Sequence, residues 1–99
     1  MTHTELIKQW AIDRNLHTAD PTKQMLKLVE EFGELGEAMA KGNDDLFVDA
    51  IGDLYVVMTI LAMQKGYDIE DCINVAYNEI KDRKGKLVDG VFLKESDLT

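Results

Sequence analysis

Residues 54–63 read LYVVMTILAM, apolar on nearly every side of a helix, and Asp49 and Asp53 stand one turn apart just ahead of them. A helix that is oily all round is one surrounded by protein. The stripe that carries the two acids continues through Val56, Val57 and Ile60, so the acids begin a face that soon becomes apolar. A carboxylate buried without a partner is costly or takes up a proton. Such a face requires cations or hydrogen-bond donors.

Upstream, Gly42-Asn43 is a C-cap and turn signal, and Asp44-Asp45 adds negative charge that favours the next helix N-terminus. The apolar helix therefore runs from about Asp44 to Lys65. The helix before it starts at Asp20-Pro21, an N-cap followed by a residue lacking the donor that would be orphaned there, and reaches about Lys41. At about 100° per residue, that helix gathers Gln24, Met25, Leu28, Val29, Phe32, Leu35 and Met39 on one broad, mainly apolar side. Glu30, Glu34 and Glu37 fall opposite, with Glu31 on the border.

An antiparallel pairing of the two helices across Gly42-Asn43 brings the Glu31/Glu34 turn level with Asp53, since roughly ten residues separate the connection from each. Carboxylates at i, i+3 and i, i+4 spacing on adjacent helices form a hard-oxygen cage suited to magnesium or manganese. Helical di-iron sites require Glu-x-x-His, and neither His3 nor His17 follows a helical Glu by three residues.

Two further helices complete the expectation. A ragged amphipathic segment covers Thr4 to Leu16, with Leu6, Ile7, Trp10 and Ile12 as its apolar positions. After Gly66, Asp68 can cap a helix on which Ile69, Ile73, Ala76, Tyr77 and Ile80 recur to about Arg83. Gly85 and Gly90 bracket short apolar pairs in the tail, which reads as an ordered turn or short hairpin packed on the bundle. The fold class expected is all-α, an antiparallel four-helix bundle in one domain over residues 1–99, with a short C-terminal tail.

Ninety-nine residues leave much apolar surface poorly covered in a lone chain, a motive to form oligomers. The net charge of -8 offers no basic field to nucleic acid or anionic membranes. A polyanionic ligand would need metal cations as intermediaries. The start lacks the h-region and cleavage site of a signal peptide, and the nearly apolar run is about half the roughly 20 residues of a bilayer span, so a cytoplasmic location is expected. Cys72 alone makes neither an intrachain disulfide nor a cysteine zinc site, and reads as a small core residue.

Glu30-Glu31-Phe32-Gly33-Glu34, followed by Asp49-Ala50-Ile51-Gly52-Asp53, resembles the E-E-x-x-E and E-x-x-D signature of the all-α nucleoside triphosphate pyrophosphohydrolases, the MazG-like group. The resemblance covers about residues 20–95. It implies magnesium, with manganese a substitute, held by Glu31, Glu34 and Asp53. Ala50 stands where E-x-x-D has its Glu, so Asp49, on the same face as Asp53, takes that part directly or through a water. By the same resemblance Glu30 orients the attacking water or supports the metal ligands, and Asn78, Lys81 and Arg83 contact the nucleotide. It further implies a homodimer or homotetramer that hydrolyses a nucleoside triphosphate to monophosphate and pyrophosphate. Two other readings stay open: a non-enzymatic helical assembly module, and a related helical pyrophosphohydrolase acting on another phosphoanhydride such as phosphoribosyl-ATP. Trp10 could stack on a base, though a lone Trp on an amphipathic helix is more often a core or interface anchor.

Overall fold

The computed structural model describes residues 1–98; Thr99, the last residue of the expected tail, lies outside them. It contains helices α1 (His3–Asp13), α2 (Pro21–Lys41), α3 (Asp44–Gln64) and α4 (Ile69–Ile80), then strands β1 (Gly85–Val88) and β2 (Val91–Lys94). Single 3-10 turns cover Leu16–Thr18 and Glu95–Asp97. The chain divides into two compact units, Met1–Ile69 and Glu70–Thr99.

Local chemistry sets the boundaries of the first unit. Thr2 accepts from the Glu5 amide and starts α1. Asn15, in left-handed backbone at φ 57°, ends the helical path before the expected Leu16. Asp20 accepts from the Thr22 amide at 2.9 Å, with Pro21 in the first turn of α2. Gly42, at φ 61°, closes α2 in the left-handed conformation that lets its own amide and that of Asn43 return to the last carbonyls. Asn43 then caps α3 by accepting from Leu46 at 3.1 Å. A two-residue connection of this kind folds α3 back along α2.

α2 and α3 meet along two seams of heptad spacing. Gln24, Leu28, Glu31, Leu35 and Ala38 are the covered positions of α2; Ala50, Asp53, Val57 and Ile60 are their counterparts on α3. The Gln24 amide donates to the Val57 carbonyl across the seam at 3.3 Å. Helix α1 also packs on α3, tied by the Thr4 and Tyr55 hydroxyls at one end and by a 2.7 Å Lys8–Asp68 ion pair at the other. The amide of Gln64 donates to the Leu16 carbonyl and anchors the 3-10 turn on the same helix.

The inward face of α2 corrects the sequence expectation. Met25, Val29, Phe32 and Met39 are exposed, Phe32 at 68%, whereas Glu31 is 6% exposed. By length and composition alone α3 could cross a bilayer, a test that the core helix of a soluble protein also passes. Four acids, Asp44, Asp45, Asp49 and Asp53, stand in its first half.

In the second unit, α4 ends at Ile80 rather than Arg83, and Cys72 is exposed rather than a core residue. The tail is a regular antiparallel hairpin, with Val88 paired to Val91. Asp89 and Gly90 connect its strands with φ of 50° and 80°, the conformation of a two-residue turn matched to strand twist.

Candidate metal centre

Glu31 and Glu34 lie one turn apart on α2, and Asp53 is one turn before the most apolar part of α3. One carboxylate oxygen from each lies within 4.8 Å of the others. Their burial is graded: Glu31 is buried, Asp53 half-buried and Glu34 exposed. The arrangement is a cluster of negative charge, buried at Glu31 and open to solvent at Glu34.

Glu31 is the least tolerable of the three without a cation. Its Oε2 is buried with no hydrogen-bond partner, while Oε1 lies 3.7 Å from the Lys27 ammonium, a contact too long for a hydrogen bond. Burial pushes its carboxyl pKa up, and hydrogen bonding and charge from Glu34 push it further, against the opposing pull of Lys27. Asp53 is raised mainly by burial, then by the charges of Asp49 and Glu31 and a side-chain hydrogen bond with Asp49. The contrast is Glu37, on the solvent side of α2, whose 2.6 Å bond to Lys41 lowers its pKa. A solvated glutamate has found its cation, whereas the buried ones share a single distant lysine.

The donor set fits a hard divalent cation. Three carboxylates on two rigid helices supply oxygen ligands only, and the orphaned Glu31 oxygen is the group such an ion would satisfy. Among the described residues no histidine or cysteine joins the group, which disfavours the softer sites of zinc.

The remaining residues singled out from the sequence are placed as follows. Asp49 is exposed on α3 and lies against Asp53, outside the tight group of three. Glu30 is exposed on α2, also outside that group. Asn78 stands on α4, and Lys81 and Arg83 follow its end; all three are exposed and belong to the second unit. Sequence reasoning gave no role to Lys27, one turn before Glu31 on α2. Its i, i+4 spacing was the available signal.

Comparison with known proteins agrees with this geometry. The MazG nucleotide pyrophosphohydrolase domain matches residues 19–88, which include every acid of the cluster. A relative from Haemophilus phage HP1 (strain HP1c1), an uncharacterized 18.2 kDa protein of the rep-hol intergenic region, is 54% identical over 63 residues. That alignment covers 63% of this chain and 39% of the phage protein, so the chain spans well under half the length of that relative. No solved structure matches the chain.

Proposed function

Because the chain belongs to the MazG nucleotide pyrophosphohydrolase domain family, we propose that it hydrolyses nucleoside triphosphates to the monophosphate and pyrophosphate, using magnesium or manganese. The observation that carries this reading is the buried, half-satisfied Glu31 set among Glu34 and Asp53. Glu31, Glu34 and Asp53 would hold the ion, and Asp49 would support it directly or through a water. When bound, the cation supplies charge neutralisation for the polyphosphate and a more acidic water.

The chain's own residues do the rest. The two-helix seam fixes the carboxylates, so no reorganisation is needed when the polyanion arrives. Glu30 accepts a proton from the attacking water or orients it. In the second unit, Asn78, Lys81 and Arg83 are the chemistry for phosphate oxygens that the family resemblance implies, Arg through its planar fork and Lys as a point charge. Water adds to one phosphorus of the α–β anhydride while the bridging oxygen leaves with the other, giving one monophosphate and one pyrophosphate.

The active form is a homodimer or homotetramer. The exposed stripe Met25, Val29, Phe32 and Met39 on α2 supports it, since the rest of the first unit leaves that stripe uncovered. A cytoplasmic enzyme of the nucleotide pool, without nucleic-acid or membrane partners, fits the acidic surface. Incubation with a panel of nucleoside triphosphates and magnesium, scored for pyrophosphate against orthophosphate, tests the reading. Pyrophosphate as first product is expected. Orthophosphate first, or no release from any nucleotide, rejects it.

A further inference from the structure

A cavity of about 440 Å³ opens beside the acid cluster within the first unit, lined by Trp10, Lys23, Gln24, Lys27 and Gln64 among others. Lys27 belongs to both places: it lines the cavity and its ammonium lies 3.7 Å from Glu31. We propose that Lys27 is a nucleotide-binding residue that exchanges its contact with Glu31 for a substrate phosphate, and that the cavity it lines takes the nucleoside. The proposal rests on the nucleotide reading above and adds to it where the substrate lies.

The Lys27–Glu31 contact is suited to exchange. It is longer than a hydrogen bond, and the Lys27 side chain is 55% exposed, so little holds the ammonium in place. A divalent cation outcompetes a lone ammonium for the same carboxylate, because its charge is double and its ligand bonds are shorter. Lys27 is then left beside the cluster with its charge unmatched. A phosphate drawn to the cluster is the nearest anion it can meet. Lys23, one turn earlier on the same helix, adds a second cation to the cavity wall, so that two lysines face one carboxylate, Asp20, whose side chain already caps α2.

The rest of the cavity suits a nucleoside. Its volume is within the range of small-molecule sites, and Trp10 supplies an aromatic wall. Gln64 donates its amide hydrogen to Leu16, which fixes the orientation of the group and leaves Oε1 buried without a partner. An unpaired buried acceptor calls for a donor, such as an N–H on a base edge. The neighbouring cavity of about 560 Å³ offers less. It shares the Trp10 wall and is otherwise lined by His3, Leu6, Ile7 and Tyr55 among others, and the Tyr55 hydroxyl is already bonded to Thr4. That cavity lacks the cations and the open acceptor.

Trp10 is the chain's sole tryptophan and lines both cavities, so its fluorescence reports on a ligand in either, and the Lys27 variants tell the two apart, since Lys27 lines only the first. The α,β-methylene analogues of ATP, CTP, GTP and UTP, which resist cleavage of that linkage, are titrated with magnesium, and inorganic tripolyphosphate serves as control. At least one analogue should change Trp10 emission saturably while tripolyphosphate does not. Lys27→Met should weaken that binding about tenfold or more, Lys27→Arg should restore most of it, and manganese affinity without nucleotide should be unchanged or tighter in Lys27→Met. The proposal is overturned if no analogue alters the emission, if tripolyphosphate alters it equally, or if Lys27→Met binds nucleotide normally. Loss of manganese and nucleotide binding together would also overturn it, by making Lys27 a structural residue. A Trp10 response that is lost in Lys27→Met, without hydrolysis by the parent, would sink the enzymatic reading and leave this one standing; hydrolysis with a silent Trp10 would do the reverse.

Discussion

The two faces of α2 differ in a way opposite to the usual division of a helix. Toward α3 it turns Gln24, Leu28, Glu31, Leu35 and Ala38, with a carboxylate at the centre of the contact. Away from it lie Met25, Val29, Phe32 and Met39, apolar and open to water. A helix serving only the stability of one chain would have the reverse arrangement. The inner face therefore sacrifices stability for a charged site, and the outer face carries apolar surface that the rest of the first unit does not cover.

The largest effect should come from removing the charge on the inner face. Glu31→Gln keeps the shape but removes the carboxylate, and activity should fall by at least about 100-fold, more than loss of a typical supporting residue. The same variant should be more stable than the parent in the absence of metal, by about 1–3 kcal/mol at neutral pH, because a poorly paired buried charge is gone. A raised carboxyl pKa means that the folded chain holds its proton more tightly than the unfolded one. Stability thus falls as pH rises from the ordinary value of 4.5 through the raised folded value of Glu31, and stays reduced above it. The stability gap between Glu31→Gln and the parent should accordingly close on acidification toward pH 4.5. Magnesium should raise the melting temperature of the parent alone. Thermal melts across pH, with and without magnesium, check this; a variant less stable than the metal-free parent at pH 7 would show Glu31 to be well satisfied.

The outer face should give the next largest effect. Phe32→Glu places a charge in the middle of the exposed stripe without touching the seam with α3. If two chains cover that stripe, losing one buried aromatic costs about 1.5–3 kcal/mol, and self-association should weaken about ten- to a hundredfold. Sedimentation velocity over a range of concentrations measures it. A parent that stays monomeric throughout would leave the stripe without the cover proposed for it.

The two faces were unequally legible in the sequence for a physical reason. The ends of α2 and α3 could be read because Asp20-Pro21 and Gly42-Asn43 act through local backbone chemistry. The acids of α3 could be read because Asp49 and Asp53 interrupt a strongly apolar helix. The inward direction of α2 could not: its most apolar positions, Met25, Val29, Phe32 and Met39, are exposed, and the face toward α3 carries a carboxylate at its centre. Glu31, set on the border by that reckoning, is in the seam. The partner of a helix face is a tertiary fact, and Lys27 went unnoticed because its meaning depends on that face. The hairpin had a signal in Asp89-Gly90, a pair able to take positive φ at both turn positions.

The smallest effects separate the faces at the level of a single methyl group. Gly36 continues the outer stripe at heptad spacing between Phe32 and Met39, and a Cβ there would meet nothing within 4 Å. Gly42 also has room for a Cβ but holds φ at 61°, where an L side chain is strained. In the Phe32→Glu background, where association is already weakened, Gly36→Ala should stabilise the fold by about 0.5–1 kcal/mol through helix propensity. Gly42→Ala should destabilise it by about 1 kcal/mol through backbone strain alone. Urea unfolding gives both values, and opposite signs are the expected result. In the parent background the Gly36→Ala gain should shrink or reverse if α2 helices of two chains approach closely at that point, since the added methyl would then sit between them. A gain of equal size in both backgrounds would mean that the second chain, if it covers the stripe, does not come within contact distance of Gly36.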